Sequence, residues 1–527
     1  MIVDGRSVVD SLSFDVCIVG AGPAGLSLAR TLEGSAISVA VVERGGLEEP
    51  AEPSATLSGE IGDGLPYFPL SETRSMGFGG TSWLWPEVDG LRSRPLDPID
   101  FEIRSDVPHS GWPFGFEELE PYYEAAHAQC GLSELDYDVA TWATSETEPL
   151  EFAGEPFETA IFKFGSDIGV FQSMLSIFER SENLTVVLNT EVLELRRSEQ
   201  EAVRVESVLV TAASNRFRVR ARVFILAAGG LENARLLLLS RSSNPSGLGN
   251  QFDLVGRYFQ EHLRINSGIL ESTDASLPHN LGFYRRHETH GHKIIAFLAP
   301  EDSLLRTSPI LNTAIYLRTT SSLRVNNVFR SLTVLGSIRK KQWGLRDDPP
   351  WPHAMNLARH PLETVRMLFR IVGRIEGRNV IQLSLQTEQA PNPSSRVLLG
   401  SDVDEWGRPV ARLDWKLTDL DVTSARLIQE HLDRAARRVG IGRVTNLLGT
   451  EEPPVPIRGF WHHMGTTRMS ATERSGVVDA NCRIHSVNNV FVAGSSVFPT
   501  GGYANPTLTI VALSIRLGRH LLRRLAA

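Results

Sequence analysis

Two adjacent histidines and a later asparagine are the residues of this chain best suited to chemistry. His462 and His463 stand in the segment WHHMGTTRM, and Asn505 follows in the glycine-rich segment TGGYANPTLT. Histidine is the side chain best able to move a proton near neutral pH. An asparagine amide both donates and accepts hydrogen bonds, so it could hold a hydroxyl group beside a base. These are the residue types of a catalytic segment, although packed histidines and a turn asparagine are the alternative.

A nucleotide-binding pattern stands at the other end of the chain. In the run FDVCIVGAGPAGLSLARTL, the residues Gly20, Gly22 and Gly25 fit the spacing G-x-G-x-x-G. The first glycine permits the tight turn, the second lets a pyrophosphate approach, and the third lets the helix pack on the strand. The phosphates then face the helix N-terminus. Glu43 ends the next apolar run, where its carboxylate would bind a free ribose 2′-hydroxyl, so the pattern predicts FAD or NAD rather than NADP.

A second glycine-rich stretch, RSMGFGGTSWLWPE, runs from Arg74 to Glu87. Its glycines leave backbone amides accessible, and they lie beside Trp83 and Trp85. A loop of this kind could lie against a flat ring such as a flavin, while an ordinary glycine-rich loop is the alternative.

Composition and charge exclude several classes of protein. The 527 residues are 42% hydrophobic and 22% charged, which is typical of a globular protein with more than one domain. The net charge of −9 argues against nucleic-acid binding, which needs a basic surface. Cys17, Cys130 and Cys482 are too scattered for a disulfide framework or a metal site. No apolar run is long enough to span a membrane, and residues 1–13 lack an apolar signal core, so the expected location is the cytoplasm.

Strand and helix patterns alternate around these motifs. Residues 267–456 differ from the rest, because they lack glycine-rich phosphate turns, and they predict a substrate domain inserted into the chain. Elsewhere the patterns predict a helix over 117–129, strands within 183–197, a strand and a helix within 219–240, a strand within 488–497 and a last helix over 506–525.

The chain resembles the glucose-methanol-choline (GMC) oxidoreductases, which are FAD enzymes acting on alcohols and sugars. The tail is most similar to the branch with pyranose oxidases and bacterial sugar or aminoglycoside dehydrogenases, whose catalytic pair is His and Asn. The matching motifs run nearly from end to end: GAGPAG from Gly20, GGTS from Gly79, TEV from Thr190, AAGGLENARLL from Ala227, GRYFQEH from Gly256, EQAPNPSSRVLL from Glu388, HHMGTTRM from His462 and VAGSSVFPTGGYANPTLT from Val492.

The resemblance implies roles for individual positions. The family's base is the His three residues before the Gly of H-x-x-G-T, which is His462 here, and Asn505 is its partner. His463 would face elsewhere, because neighbours in an extended segment point in opposite directions. The positions implied to hold the cofactor are Gly20, Gly22, Pro23, Ala24, Gly25, Glu43, Arg44, Arg74, Gly79, Gly80, Thr81, Ser82, Val192, Ala228, Gly229, Gly494, Asn505, Pro506 and Thr507.

The implied fold is α/β (α+β overall), with a Rossmann-like FAD-binding domain and an interleaved substrate-binding domain built on an antiparallel sheet with helices. The FAD-binding domain would comprise 1–100, 184–266 and 457–527. The substrate-binding domain would comprise 101–183 and 267–456.

The implied function is oxidation of an alcohol to a carbonyl, with the proton taken by His462 and the hydride by flavin N5. The substrate would be a sugar, glycoside or polyol, and the electron acceptor dioxygen, a quinone or another compound. FAD would be noncovalent, because the loop after Gly79 lacks the His that carries covalent FAD in some members. An aryl or aliphatic alcohol substrate, a lyase with structural FAD and an NAD-linked dehydrogenase are the alternatives.

One basic, partly amphipathic stretch, residues 349–378, has three possible roles. It could be a lid, a membrane-surface contact or a packed helix of the substrate domain, and the last is the preferred interpretation.

Overall fold

The computed structural model describes residues 1–48, 57–88, 90–145, 147–165, 169–198, 200–201, 203–213, 215–242, 244–321, 327–339, 350–372, 379–448 and 457–526. The strands, numbered along the chain, are β1 (Ile2–Asp4), β2 (Leu12–Val19), β3 (Val39–Val42), β4 (Gly59–Ile61), β5 (Arg92–Ser93), β6 (Phe157–Phe164), β7 (Leu184–Leu188), β8 (Glu191–Arg197), β9 (Val205–Ala212), β10 (Asn215–Leu226), β11 (Leu263–Ser272), β12 (His287–Thr289), β13 (His292–Pro300), β14 (Thr313–Ser321), β15 (Asn379–Thr387), β16 (Arg396–Val403), β17 (Pro409–Asp414), β18 (Gly442–Asn446) and β19 (Val490–Val492). The helices are α1 (Pro23–Leu32), α2 (Phe116–Gln129), α3 (Val139–Trp142), α4 (Leu175–Arg180), α5 (Gly229–Leu239), α6 (Asp302–Thr307), α7 (Asn327–Arg339), α8 (Pro350–Arg359), α9 (Pro361–Val372), α10 (Asp419–Arg438) and α11 (Thr507–Ala526).

The first sheet is the predicted Rossmann-like sheet. Its strands lie in the order β1–β7–β3–β2–β10–β9–β8, and β19 also pairs with β10. Strands β1, β7, β3, β2 and β10 pair in parallel, each with the next, and β19 pairs in parallel with β10. Strand β9 pairs antiparallel with both β10 and β8. Every residue of β3 is buried, as is typical of a parallel strand covered on both faces. Helix α11 packs against both α1 and α2, and α1 contacts β2 and β3 of this sheet.

The second sheet is the predicted antiparallel one. Its strands lie in the order β18–β11–β15–β14–β13–β6–β5, with β12 paired to β13, and all these pairs are antiparallel. A smaller sheet has the order β16–β17–β4. The chain thus returns several times to each sheet, while the domain boundaries given above remain a prediction.

The described part of the 349–378 stretch forms α8 and α9. In α8, the Asn356 amide donates a hydrogen bond to Ser331 of α7 at 3.0 Å, and His353 lies beside the same hydroxyl at 3.1 Å. Helix α8 is therefore packed on α7, whereas the role of the whole stretch stays a prediction. Helix α9 instead exposes apolar side chains, including Leu362 and Phe369, which are 75% and 72% exposed. Residues 349 and 373–378 lie outside the described residues.

Within the described residues, no helix is both long enough and apolar enough to cross a membrane.

Candidate active site and cofactor cavity

A cavity of about 640 Å³ lies where the parallel strands of the first sheet end, and it extends to the second sheet. This is the crevice in which open α/β sheets bind their ligands, and its volume is in the range used by small-molecule sites. The residues singled out from the sequence that line it are Gly20, Gly22, Pro23, Ala24, Glu43, Arg44, Arg74, Gly80, Thr81, Trp85, Val192, Ala228, Gly229, His462, His463, Gly494, Asn505, Pro506 and Thr507.

Gly25, Gly79 and Ser82 lie outside the lining and support it. A Cβ on Gly25 would lie 2.0 Å from the carbonyl oxygen of Gly20, so only glycine lets α1 pack this closely on the turn. The Gly79 amide donates to the Ala21 carbonyl at 2.9 Å, and the Ser82 hydroxyl donates to the Gly79 carbonyl at 2.8 Å.

The turn between β2 and α1 leaves room for a phosphate group. Gly20 has a φ of +106°, a conformation that favours glycine. A Cβ on Gly80 would come within 2.8 Å of the Gly22 Cα, so two glycine backbones face each other at the cavity wall without side chains. Helix α1 begins at Pro23, and its N-terminus therefore offers positive partial charge to the cavity. These features fit a dinucleotide pyrophosphate.

Glu43 is held in place by three backbone amides. Ala21 donates to one carboxylate oxygen at 2.8 Å, while Gly45 and Gly77 donate to the other at 2.9 and 2.8 Å. Burial raises the pKa of Glu43, although these three hydrogen bonds oppose that shift. Each carboxylate oxygen can accept more than one hydrogen bond, so the residue can still bind ribose hydroxyls.

The arginines at the nucleotide end are neutralised by carboxylates. Arg44 and Arg408 pair with Glu191 at 3.2 and 2.7 Å, and Arg235 pairs with Glu232 at 3.0 Å. Arg74 also pairs with Glu232. Burial opposes the ionisation of Glu232, but its two guanidinium partners hold the pKa of that carboxyl below its usual value.

His462 is held by a second histidine. Its Nδ1 lies 2.8 Å from Nδ1 of His262, and the two rings meet edge to face at 4.9 Å. Burial lowers the pKa of His462 well below its usual value, and the neighbouring His262 and Arg92 lower it further. Burial also lowers the pKa of His262 to about 4. Both rings are therefore neutral at pH 7, and a single N–H serves the hydrogen bond between them.

His463 has different partners. Its Nε2 lies 3.0 Å from the Tyr67 hydroxyl, and that hydroxyl donates its own proton to Glu261. When Glu261 is ionised, Nε2 of His463 carries a proton and donates it to Tyr67. Burial lowers the pKa of His463 to about 3 and raises the pKa of Glu261 to about 7. His463 is thus tied into a buried network rather than to His262.

Asn505 is oriented by two donors. Its Oδ1 accepts hydrogen bonds from Gln386 Nε2 at 3.1 Å and from Arg92 Nη2 at 3.3 Å. Gln386 is fixed in turn, because it donates to the Tyr503 carbonyl at 2.7 Å and accepts from Arg92 at 2.7 Å. With Oδ1 occupied, the amide N–H groups of Asn505 remain to donate to a substrate oxygen.

Sequence reasoning missed His262, Arg92 and Gln386. Two motifs recognised as family matches lie at or beside these residues. GRYFQEH ends in His262, and EQAPNPSSRVLL begins two residues after Gln386. A signal for His262 was therefore present, but no spacing rule links it to His462, since the two are 200 positions apart. Arg92 is one of 48 arginines in the chain and carries no local pattern.

Comparisons with known proteins agree with this geometry. A family model described as FAD dependent oxidoreductase matches residues 15–246, and one described as GMC oxidoreductase matches residues 391–514. The chain is 25% identical to paromamine 6′-oxidase of Streptomyces fradiae, over 96% of this chain and 91% of that protein. It is also 25% identical to 2-methyl-1,2-propanediol dehydrogenase of Mycolicibacterium austroafricanum, over 97% of this chain and 95% of that protein.

A solved structure supports the fold. Pyridoxine 4-oxidase from Mesorbium loti superimposes with a TM-score of 0.53 over 96% of this chain and 99% of that one, at 17% identity. At this identity the similarity concerns the fold alone.

Proposed function

The chain is a GMC oxidoreductase, an FAD-dependent enzyme that oxidises CH–OH groups, and we propose that it oxidises a sugar, glycoside or polyol hydroxyl with His462 as the base. The observation that carries the proposal is the hydrogen bond between Nδ1 of His462 and Nδ1 of His262. When His462 donates in this bond, its Nε2 has a free lone pair, and the ring lines the cavity. The same bond fixes the direction in which that lone pair points.

His462 would remove the hydroxyl proton of the substrate. General-base catalysis of this kind contributes about 10²–10⁴-fold to a rate. The lowered pKa keeps the ring neutral, and hence able to accept a proton, at and below neutral pH.

Asn505 would hold the substrate oxygen. Its free N–H groups can donate to the alcohol oxygen and favour the negative charge that grows there as the proton leaves. Since Gln386 and Arg92 fix its amide, this donor is already oriented before substrate binds.

Bound FAD would supply the acceptor for the hydride of the substrate C–H bond. The positions proposed to hold it are those given above, from Gly20 to Thr507, and Asn505, Pro506 and Thr507 stand where α11 begins. The positive end of that helix favours negative charge on a group bound beside it. We propose noncovalent FAD, because the segment after Gly79 contains no His.

The relatives give partial support for the substrate class, since one is named for paromamine and another for a propanediol. The electron acceptor, which could be dioxygen or a quinone, the domain boundaries and a cytoplasmic location stay predictions.

The test is an anaerobic screen of the purified yellow protein. We expect a sugar, glycoside or polyol to bleach the flavin faster than simple aliphatic or aryl alcohols do. Reoxidation of the bleached enzyme by air or by a soluble quinone then identifies the class of acceptor. Faster bleaching by a simple alcohol would contradict the substrate assignment.

A further inference from the structure

Three arginines line the end of the cavity where His462 and Asn505 lie, which is called the substrate end from here on. Two of them stand on one face of the second sheet, and the third stands at its edge. Arg264 in β11 and Ala314 in β14 are both register partners of Gln386 in β15. Register partners on neighbouring strands have their side chains on the same face of the sheet, and so do residues two or four positions apart on one strand. Arg318 is four positions after Ala314, so it lies on the same face as Arg264. Arg92 stands on the edge strand β5, and all three arginines line the cavity.

These arginines differ from those at the nucleotide end in lacking acidic partners. Each of the other four arginines of the lining pairs with a carboxylate, as described above. Across the described ranges of the chain, Arg92, Arg264 and Arg318 form no ion pair. Arg92 instead donates to Gln386 and Asn505. Arg264 lies over the Phe460 ring at 5.8 Å, and Arg318 lies over the Tyr316 ring at 6.0 Å.

The surroundings of Arg264 have a physical cost. Desolvation lowers its pKa, and so do the positive charges of Arg318, Arg458 and Arg92 nearby. The guanidinium groups of Arg92, Arg264 and Arg318 have no acidic partner among the described residues and repel one another, and an oxyanion placed between them relieves that repulsion. A guanidinium also matches a carboxylate or a phosphate with two parallel hydrogen bonds.

We infer that the substrate carries an oxyanion, either a carboxylate or a phosphate ester, which binds Arg264 and Arg318 while its hydroxyl lies at His462. This inference rests on the proposed function and narrows it from neutral sugars or polyols to sugar acids or sugar phosphates. The same charges act against a cationic amino sugar, because like charges placed together cost binding free energy.

The first experiment compares matched substrates on the holoenzyme under anaerobic conditions. The pairs are glucose with glucuronate, glucitol with gluconate, and glucose with glucose 6-phosphate. We expect the acidic member to reduce the flavin with a kcat/KM higher by about tenfold or more, since hydrogen bonds to charged groups are the strong ones. If the acidic member is preferred only in the two carboxylate pairs, the oxyanion of the substrate is a carboxylate. If it is preferred only in the phosphate pair, the oxyanion is a phosphate ester. Equal or faster reduction by the neutral member of every pair overturns the inference.

The second experiment separates this inference from the proposed function. Oxidised holoenzyme is titrated with acetate, sulfate and inorganic phosphate while the flavin spectrum is recorded, which requires no turnover. A saturable change with at least one anion supports the oxyanion site even if no alcohol reduces the flavin, in which case only the proposed function fails. An unchanged spectrum with all three anions overturns the inference.

Variants locate the binding groups. The double variant Arg264→Gln with Arg318→Gln should lose the preference for the acidic substrate and weaken anion binding by about tenfold or more. Arg443→Gln is the matched control, because Arg443 lies on the neighbouring strand β18 and pairs with Glu271 at 2.9 Å on the surface.

The flavin content and circular dichroism of each variant establish that it is folded. If the double glutamine variant does not fold, the double variant Arg264→Lys with Arg318→Lys, which keeps the positive charges, takes its place in the test. This variant should retain the acid preference but bind anions more weakly, because lysine lacks the paired donors of arginine. The assignment to these two residues is overturned if the folded glutamine variant keeps both its preference for the acidic substrate and its anion affinity. It is also overturned if the lysine variant keeps its anion affinity unchanged.

Discussion

Replacing His262 by phenylalanine tests how the candidate base is positioned. The side chain of His262 is fully buried and meets His462 edge to face, so a phenylalanine ring can occupy the same space. It cannot accept the hydrogen bond that His462 Nδ1 donates in the proposed tautomer, and the 2.8 Å contact between the two Nδ1 atoms is the one that fixes the ring. A buried donor left without a partner costs about 1–3 kcal/mol. The proton of His462 can avoid this cost by moving to Nε2, and the ring is then no longer a base.

The expected loss follows from that free energy. A bias of about 1–3 kcal/mol toward the inactive tautomer lowers the rate of flavin reduction by about fivefold to about 150-fold. Stopped-flow absorbance under anaerobic conditions measures the limiting rate constant, and the dissociation constant of the substrate should change little. His262→Asn is the matched control, since its side-chain oxygen can replace Nδ1 as acceptor and should restore most of the rate. If His262→Phe reduces the flavin at the wild-type rate, or if both variants lose the same amount, the hydrogen bond to His262 does not orient His462.

Three further predictions concern the cofactor, the pH dependence and the stability. Gly25→Val should lower the flavin content of the purified protein, measured as the ratio of flavin to protein absorbance, because its Cβ would lie 2.0 Å from the Gly20 carbonyl oxygen. The pKa of His462 is lowered, so the base becomes protonated only in acid, and the acid limb of kcat/KM should lie below pH 6.5. Arg104→Ala should reduce the free energy of unfolding by about 3–5 kcal/mol in denaturant titrations, because it leaves the buried Glu388 carboxylate without its ion-pair partner.

Each of these has a control or a contrary outcome. Gly336→Val is the control for the flavin content, since a Cβ on Gly336 would meet no atom within 4 Å and Gly336 is not part of the cavity lining. An acid limb centred near pH 6.5 would show that the base is a solvated imidazole. Arg306→Ala removes the exposed pair with Glu102 and should cost about 1 kcal/mol or less. A similar cost for Arg104→Ala would mean that its ion pair is not the buried contact described.

The sequence predicted those parts of the fold that rest on local patterns. The glycine turn, the buried strand β3 and Glu43 follow each other closely in the chain, so their spacing alone indicates a βαβ unit. Helix α2 was expected over 117–129 and spans Phe116–Gln129. This prediction was possible because the apolar positions of the helix and the following Gly131 mark its boundaries in the sequence. The expected last helix, 506–525, is α11 at Thr507–Ala526.

Other parts depend on contacts between distant segments. Strand β1 has three residues, too few for a periodic pattern, and it forms only because β7 offers it an edge. The partner of His462 lies in the segment before β11. The arginines of the substrate end lie on β11, β14 and β5 of the second sheet, whose register no local pattern fixes. The resemblance identified the proposed base, whereas the charge around it became visible only from the folded chain.

The most direct test of the central claim is the rate of anaerobic flavin reduction in His462→Ala. We expect this variant to bind FAD normally and its limiting rate constant to fall by about 10²–10⁴-fold, while His463→Ala loses far less. Reduction of His462→Ala at the wild-type rate, or a larger loss in His463→Ala, would contradict the assignment of His462 as the base.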